Sequence, residues 1–197
     1  QCPVKVDVPA FRAKFLAVYH TRYLRPARDW VLACLEPALP WMAKVHRLVN
    51  AVLASSAGQW ALRRIGLVSI PMLSGIDLVR EARRGGFTTA TPETIAAAQA
   101  RGLRAVVVVQ DAFTSHFEAG LVLDALRLMD KLGFHPLLAP LLPSGKPLHV
   151  HGFLERFHRT ARRNAEMLER LQTTGAPLVG IDPAMTFPNN TGRPMYL

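Results

Sequence analysis

Residues 103–142 read LRAVVVVQDAFTSHFEAGLVLDALRLMDKLGFHPLLAPLL, and this stretch decides the fold. Residues 103–109 are a nearly unbroken apolar, β-branched run of strand length, which is typical of a strand buried on both faces. A helical pattern follows and ends at Gly133, and residues 136–142 form a second possible strand. The face of that helix is marked by Leu121, Ala125, Leu128 and Leu132. Strand, helix and strand in this order predict parallel pairing with a right-handed crossover.

The pattern continues towards the carboxyl end of the chain. A long helix is predicted over residues 152–173, with Phe157, Ala161, Ala165 and Leu168 inside, and residues 178–182 form a third strand. A short Ala-rich helix precedes the first strand, begins after Thr91 and ends at Gly102. We therefore expect an α/β fold in which an incomplete open, doubly wound parallel sheet occupies residues 103–185.

The residues before this layer predict a helical arm over residues 1–65. Asp7 can cap a first helix, and a second starts near Pro26 and runs towards Pro37, which must end or kink it. Residues 41–54 give a third helical stretch, with Val45, Leu48, Val49 and Val52 as its apolar stripe. We divide the chain into this arm, a connector over residues 66–102, and an α/β domain over residues 103–197.

Composition and charge exclude several classes of protein. The 197 residues carry 24 Lys and Arg against 14 Asp and Glu, a formal charge of +10, but the excess is spread along the chain. A dense basic stripe with interleaved aromatics is absent, so we expect no nucleic acid as a partner. No apolar run reaches the roughly 20 residues of a spanning helix, so we expect no transmembrane segment. Two cysteines cannot build a disulfide framework, and we expect a cytoplasmic protein.

Polar residues follow each predicted strand, where ligands and partners meet the loops of open α/β sheets. These candidates for a strand-end site or interface are Gln110, Asp111, Thr114, Ser115 and His116 after the first strand, His149 after the second, and Asp182 after the third. Ser115 and Glu118 have the spacing of a capping box, and His116 at that helix start could either bind an anion or face solvent. No complete active site is visible.

Cysteine and histidine leave several interpretations open. The Cys2-Pro3 pair is how the fourth ligand of a bacterial ferredoxin-type run appears, although the pair alone favours an incidental cysteine. We expect Cys34, in an apolar helix, to be a small buried hydrophobe. His149, His151 and His158 suggest a metal site, but only Glu155 lies near enough in sequence to complete it, so we favour partly solvated loop histidines.

Two long blocks resemble one family. Residues 1–29, QCPVKVDVPAFRAKFLAVYHTRYLRPARD, resemble the end of the ferredoxin-like region in large bacterial FAD-linked, 4Fe-4S-containing 2-hydroxy-acid dehydrogenases of the D-2-hydroxyglutarate type. Residues 106–168, which begin VVVVQDAF and end RRNAEML, resemble the cysteine-rich-type α/β region that follows in the same proteins. The similarity runs from Cys2 to about Ala184 and is weakest over residues 55–100.

The resemblance implies an oxidoreductase in which FAD on an N-terminal domain takes a hydride from a 2-hydroxy acid and electrons leave through a 4Fe-4S cluster. It implies that Cys2 is the last ligand of a cluster whose other thiolates precede Gln1, and that the chain is a piece of a longer polypeptide, inactive alone. Its partners would be the flavin and ferredoxin-like domains of that polypeptide and a downstream electron acceptor. We expect no FAD or cluster in this chain by itself, and the absence of Cys after Cys34 argues against a cluster in residues 103–197.

A second hypothesis belongs to another class of function. Arg156, Arg159, Arg163 and Arg170 share one stripe of the long predicted helix, with Glu155 and Glu166 placed to pair at i, i+4. Such a stripe is typical of a solvated face, and it also suits a basic, non-enzymatic interaction module that binds an acidic protein partner.

Overall fold

The computed structural model describes residues 7–68 and 70–181. The arm begins where the sequence predicts, because Asp7 Oδ1 accepts a hydrogen bond from the Ala10 amide at 3.1 Å. Ser55 caps the fourth helix in the same way, with its hydroxyl accepting from the Gly58 amide. The arm's helices are α1 Val8–Arg22, α2 Ala27–Lys44, α3 His46–Ala54 and α4 Ser56–Arg64.

The remaining described residues alternate helices and strands. Thr91 and Thr94 form a reciprocal capping box at the start of the Ala-rich helix. These elements are α5 Leu78–Arg84, α6 Pro92–Ala100, β1 Ala105–Val109, α7 Ala112–Phe117, α8 Ala119–Lys131, β2 His135–Leu138, α9 Lys146–Val150, α10 Leu154–Gln172 and β3 Leu178–Gly180.

Within the described residues the strands form one parallel sheet in the order β2-β1-β3. Val107 of β1 lies opposite Leu137 of β2 and Leu178 of β3. All five residues of β1 are buried, because neighbours flank this strand on both edges and helices cover it on both faces.

Helices cover the two faces of the sheet in pairs. On one face, Ile95 of α6 and Leu171 of α10 pack with Val107 and Leu137. On the other face, α5 and α8 pack against Val108 and Leu138. The prediction of an open, doubly wound parallel sheet preceded by a helical arm is therefore confirmed. Residues 78–100, within the predicted connector, supply one helix to each face.

The prediction of which face of α8 packs against the sheet is wrong. Leu121, Leu128 and Leu132 are about half exposed or more, whereas the buried residues are Ala119, Val122, Leu123 and Leu126. This helix is apolar on two faces, so periodicity alone could not decide which one meets the sheet.

Three predictions for the arm are corrected or narrowed by the structure. Of the two outcomes expected at Pro37, an end or a kink, the end does not occur, because α2 continues through Pro37 and Pro40 to Lys44. Cys34 is exposed rather than buried, because the buried stripe of α2 runs through Ala33, Glu36 and Leu39. The apolar stripe expected over residues 41–54 also differs, since Val45, Leu48 and Val52 are more than half exposed.

The arm is joined to the α/β layer at a close backbone crossing. Gly152 has φ +71°, and a Cβ there would lie 2.7 Å from the Ala17 nitrogen and 2.8 Å from Leu16 Cβ. The guanidinium of Arg25 donates to the carbonyls of His151 and Gly152 and lies 3.9 Å from the centre of the Phe153 ring. These contacts fix α1 against the turn between α9 and α10.

Candidate functional site

The carboxyl end of β1 is organised by the buried amide of Gln110. Its Nε2 donates to the Ala139 carbonyl just beyond β2 at 2.7 Å, and its Oε1 accepts from the Ser115 hydroxyl at 2.6 Å. One residue later, Asp111 forms a parallel bridge with Leu142. The loops after β1 and β2 therefore run side by side, and we call residues 110–116 with residues 139–145 the strand-end site.

Asp111 starts the helix that carries the other predicted residues. Its carboxylate accepts hydrogen bonds from the amides of Phe113 and Thr114, each at 3.1 Å, which makes Asp111 the N-cap of α7. The predicted capping box of Ser115 with Glu118 is wrong, because Ser115 lies inside α7 and its hydroxyl is used by Gln110. Asp111, four residues upstream of Ser115, was the better N-cap candidate in the sequence.

His116 brings a titratable ring to this site. Its Nε2 is buried and has no hydrogen-bond partner among the described residues. Burial lowers the pKa of His116, while the carboxylates of Asp111 and Asp77 oppose the shift. The neutral imidazole is thus the form that the fold favours. The His116 carbonyl accepts from the Ser74 amide at 2.8 Å, which ties α7 to the segment before α5.

A buried carboxylate from the arm closes the other side of the strand-end site. Glu36 Oε1 accepts from the Ser144 amide at 3.2 Å and from the Ser144 hydroxyl, while Oε2 accepts from the Gly145 amide at 2.9 Å. Asn164 of α10 donates to the neighbouring Pro143 carbonyl at 2.7 Å. The sequence analysis missed Glu36. The spacing of Glu36 could have predicted its burial, because it lies three residues from Ala33 and three from Leu39 on the same face of the helix.

A second buried acid lies between α1 and the turn after α9. The Asp29 side chain is within 3.0 Å of His151 Nδ1, 3.5 Å of Arg28 Nε and 3.9 Å of His20 Nε2. The His151 contact lacks the direction of a hydrogen bond, so its attraction is electrostatic and depends on a protonated ring. The sequence did not single out Asp29 or His20.

The remaining predicted residues lie apart or outside the described part of the chain. The His149 ring lies 4.8 Å from the Phe157 ring, whereas His151 faces Asp29, so the two rings of the H-x-H pair diverge. In residues 7–68 and 70–181, no three His, Cys, Asp or Glu side chains are grouped to hold a metal ion. Cys2 and Asp182 lie outside the described residues.

Basic side chains line two outer surfaces. On α5, Arg80, Arg83 and Arg84 line an open cleft of ≈ 440 Å³ together with Asp77. On α10, the pair predicted between Glu155 and Arg159 forms at 3.9 Å between exposed side chains. In the described part of the chain, no helix combines the length and apolar character needed to cross a bilayer.

Comparison with known proteins relates the sequence of this chain to one group of enzymes. The D-2-hydroxyglutarate dehydrogenase of Pantoea ananatis is 46% identical over 186 residues, which are 93% of this chain and 18% of that protein. The Escherichia coli and Pseudomonas putida proteins of the same name are each 43% identical over 94% of this chain, and over 18% and 19% of their own lengths.

The chain is homologous to one segment of the D-2-hydroxyglutarate dehydrogenases. It spans 18–19% of the length of these relatives. No family model matches the chain, and no solved structure matches it.

The residues of this dehydrogenase homologue do not fit a complete iron–sulfur site. A 4Fe-4S cluster takes four protein ligands, usually thiolates, and the chain has two cysteines, of which Cys34 is exposed on α2 and Cys2 lies outside the described residues. No electron-transfer step can therefore be assigned to these residues alone.

Proposed function

We propose that this chain is part of a flavin and iron–sulfur oxidoreductase that oxidises a D-2-hydroxyglutarate-like 2-hydroxy acid in the cytoplasm. FAD on a separate domain would accept the hydride, and a 4Fe-4S cluster would pass electrons to a downstream acceptor. The part described above packs on the catalytic domain and is inactive alone. The observation that carries the proposal is the 46% identity to the D-2-hydroxyglutarate dehydrogenase of Pantoea ananatis over 93% of this chain.

Each segment has a separate role in this proposal. Cys2 supplies one cluster ligand, and the helical arm joins the cluster-bearing region to the α/β layer. The strand-end site is the surface nearest the catalytic domain, since loops beyond the carboxyl ends of parallel strands are where such sheets meet ligands and partners. The hydrogen bonds of Glu36 to Ser144 and Gly145 support this role, because they hold the arm and that site in one arrangement.

The test uses a chimera in which this chain replaces the matched segment of the Pantoea ananatis relative. Iron, acid-labile sulfide and the visible spectrum are measured under anaerobic conditions for the chimera and for the 197-residue chain. We expect a brown 4Fe-4S chromophore in the chimera, lost in Cys2→Ser and retained in the matched control Cys34→Ser. We expect oxidation of D-2-hydroxyglutarate by the chimera and none by the short chain.

Three results would contradict the proposal. Iron retained by the Cys2→Ser chimera would remove Cys2 from the ligand set. A chimera without dehydrogenase activity, although it folds and binds flavin, would remove the substrate assignment. Flavin- or cluster-dependent activity in the 197-residue chain would contradict inactivity alone.

The alternative is a basic module for an acidic protein partner, and the arginines that line the α5 cleft favour it specifically. Such a module should bind an acidic protein with an affinity that falls as ionic strength rises. Its test is titration of the 197-residue chain with an acidic polypeptide at 50 and 300 mM salt, with Arg80→Glu/Arg83→Glu as the variant. Salt-insensitive or absent binding excludes it.

A further inference from the structure

The helix α1 presents an aromatic stripe to solvent. Phe11, Phe15, Tyr19 and Tyr23 follow one another at intervals of four residues, and their exposed fractions are 67%, 56%, 41% and 58%. Consecutive rings stack, with centroids 5.7 Å apart for Phe15 and Tyr19 and 4.5 Å apart for Tyr19 and Tyr23. Contiguous exposed apolar surface of this kind marks an interaction site in a soluble protein.

The orientation of this aromatic stripe is fixed by the opposite side of the helix. Ala13 is fully buried, and Gly152 meets the backbone of Ala13 and Ala17 at a distance that leaves no room for a side chain. With about 100° between successive residues, Phe15 projects about 160° away from Ala13. The stripe therefore faces away from the rest of the described chain.

The charges beside the stripe restrict what can cover it. The described helix carries Arg12, Lys14 and Arg22 and no acidic residue. Arg12 and Lys14 flank Phe15 on its two sides, given the helical spacing. A complementary surface has an apolar centre and an acidic edge.

We propose that the aromatic stripe is the docking surface for the cluster-bearing region that precedes Gln1 in the longer polypeptide. This inference rests on the proposed function, which places a cluster ligand at Cys2. Cys2 is six residues before Val8, so covalent geometry keeps it within about 20 Å of the first turn of α1.

Covalent attachment to the arm favours the cluster-bearing region, over a second copy of the chain, as the partner of the aromatic stripe. A tether of six residues gives the cluster-bearing region an effective concentration in the millimolar range at the stripe, which a separate molecule does not reach in dilute solution. The arm would then be a rigid spacer, with the cluster-bearing region on one side of α1 and the α/β layer on the other.

The test is hydroxyl-radical footprinting read by mass spectrometry. It compares the 197-residue chain, the chimera described above, and the same chimera without its cluster-bearing region. We expect Phe11 and Phe15 to label about fivefold more slowly in the chimera than in the other two proteins, as for residues in the core of an interface. Trp60 on α4, 68% exposed, serves as the internal control and should label equally in all three.

A matched pair of substitutions locates the contact. In the chimera, Phe15→Glu should restore labelling of Phe11, whereas Trp60→Glu should leave it unchanged. Equal labelling of Phe11 in all three proteins overturns the proposal. Protection that survives removal of the cluster-bearing region overturns it as well, because another part of the polypeptide then covers the stripe. Protection of the 197-residue chain that increases with its concentration assigns the stripe to a second copy.

The iron assay separates this inference from the proposed function. If Cys2→Ser keeps its iron while Phe11 stays protected, the ligand assignment fails and the docking surface stands. If iron is lost but Phe11 labels freely in the chimera, the ligand assignment stands and the docking surface fails.

Discussion

Glu36 stabilises the molecule through donors that nothing else in the described structure satisfies. Replacing it with Ala leaves the amides of Ser144 and Gly145 buried without their acceptor. We expect Glu36→Ala to lower the free energy of unfolding by roughly 3 kcal/mol, and Glu36→Gln by less. Urea unfolding at pH 7.5 measures both. Glu155→Ala, at an exposed carboxylate, should change it by less than about 0.5 kcal/mol. Similar losses for Glu36→Ala and Glu155→Ala would contradict the role of Glu36.

His116 gives the stability a dependence on pH with a definite sign. Burial lowers its pKa in the folded chain below the ordinary value of 6.5, so the unfolded chain binds this proton more readily. The stabilisation is complete above pH 6.5 and is lost as the pH falls from there towards the lowered pKa. His116→Gln should therefore lose less stability than the wild type between pH 7.5 and 5.5 in urea unfolding.

The control for this pH effect is His158→Gln, at an exposed position on α10, which should follow the wild-type curve. Parallel curves for His116→Gln and the wild type would mean that burial of the ring has no energetic consequence.

At single residues, the sequence predicts which groups lie at the strand ends but not how they are used. Gln110 and Asp111 follow an apolar, β-branched run that is typical of a buried strand, so their position at a strand end was predictable. Their partners come from elsewhere in the chain: Ala139 lies 29 positions from Gln110, and Ser144 lies 108 positions from Glu36. Local spacing carries no information about such contacts, which is also why Asp29 was missed.

Among the helices, α8 offers a direct test of which apolar face meets the sheet. Leu126 is 0% exposed and Leu128 is 58% exposed, although both lie within one helical segment. We expect Leu126→Ala to lower the free energy of unfolding by about 3 kcal/mol, and Leu128→Ala by less than about 1 kcal/mol. Chemical unfolding of the two variants compares the faces. The reverse order would place the sequence-predicted face in the core.

Elements with strong local indications were predicted well, and those governed by packing were not. The cap of Thr91 and the apolar run of β1 are properties of a few adjacent residues, and both formed as expected. By contrast, α2 passes through Pro37 because its buried side chains, including Leu39, hold the helix in place despite the missing amide. Propensity is a weak constraint where tertiary contacts oppose it.

For the whole molecule, the crossing at Gly152 decides whether the arm stays attached to the α/β layer. Gly152→Ala introduces a Cβ 2.7 Å from the Ala17 nitrogen, in addition to the strain of a positive φ. We expect a loss of roughly 3 kcal/mol in the free energy of unfolding. We also expect faster amide exchange in α1 by hydrogen–deuterium exchange, because the crossing is what anchors that helix.

Gly133→Ala is the matched control for this crossing. Gly133 has φ +81°, and its added Cβ would have no atom within 4 Å, so this variant carries the backbone strain without the collision. It should cost about 1 kcal/mol and leave exchange in α1 unchanged. Equal effects of the two substitutions would show that backbone strain, and not the crossing, sets the loss at Gly152.

The overall architecture was predictable because a small set of connection rules limits how parallel sheets are built. Which residues of the arm are buried was not predictable. Alternating strand and helix patterns over residues 103–180 allow little besides an open parallel layer. The arm's apolar residues predict helices equally well whether they face a core or solvent. Only the three-dimensional packing shows that Phe11, Phe15 and Leu48 lie outside.

The hydrogen bonds of Glu36 impose an order of events during synthesis. Its partner Ser144 lies 108 residues later, so a ribosome adding about 5–20 residues per second produces Ser144 roughly 5–20 s after Glu36. During that interval the carboxylate can only be hydrated, and α2 lacks the loop that it holds in the native chain. Among the described residues, α2 is therefore synthesised well before the loop that completes its packing, and its buried face stays exposed to solvent for that interval.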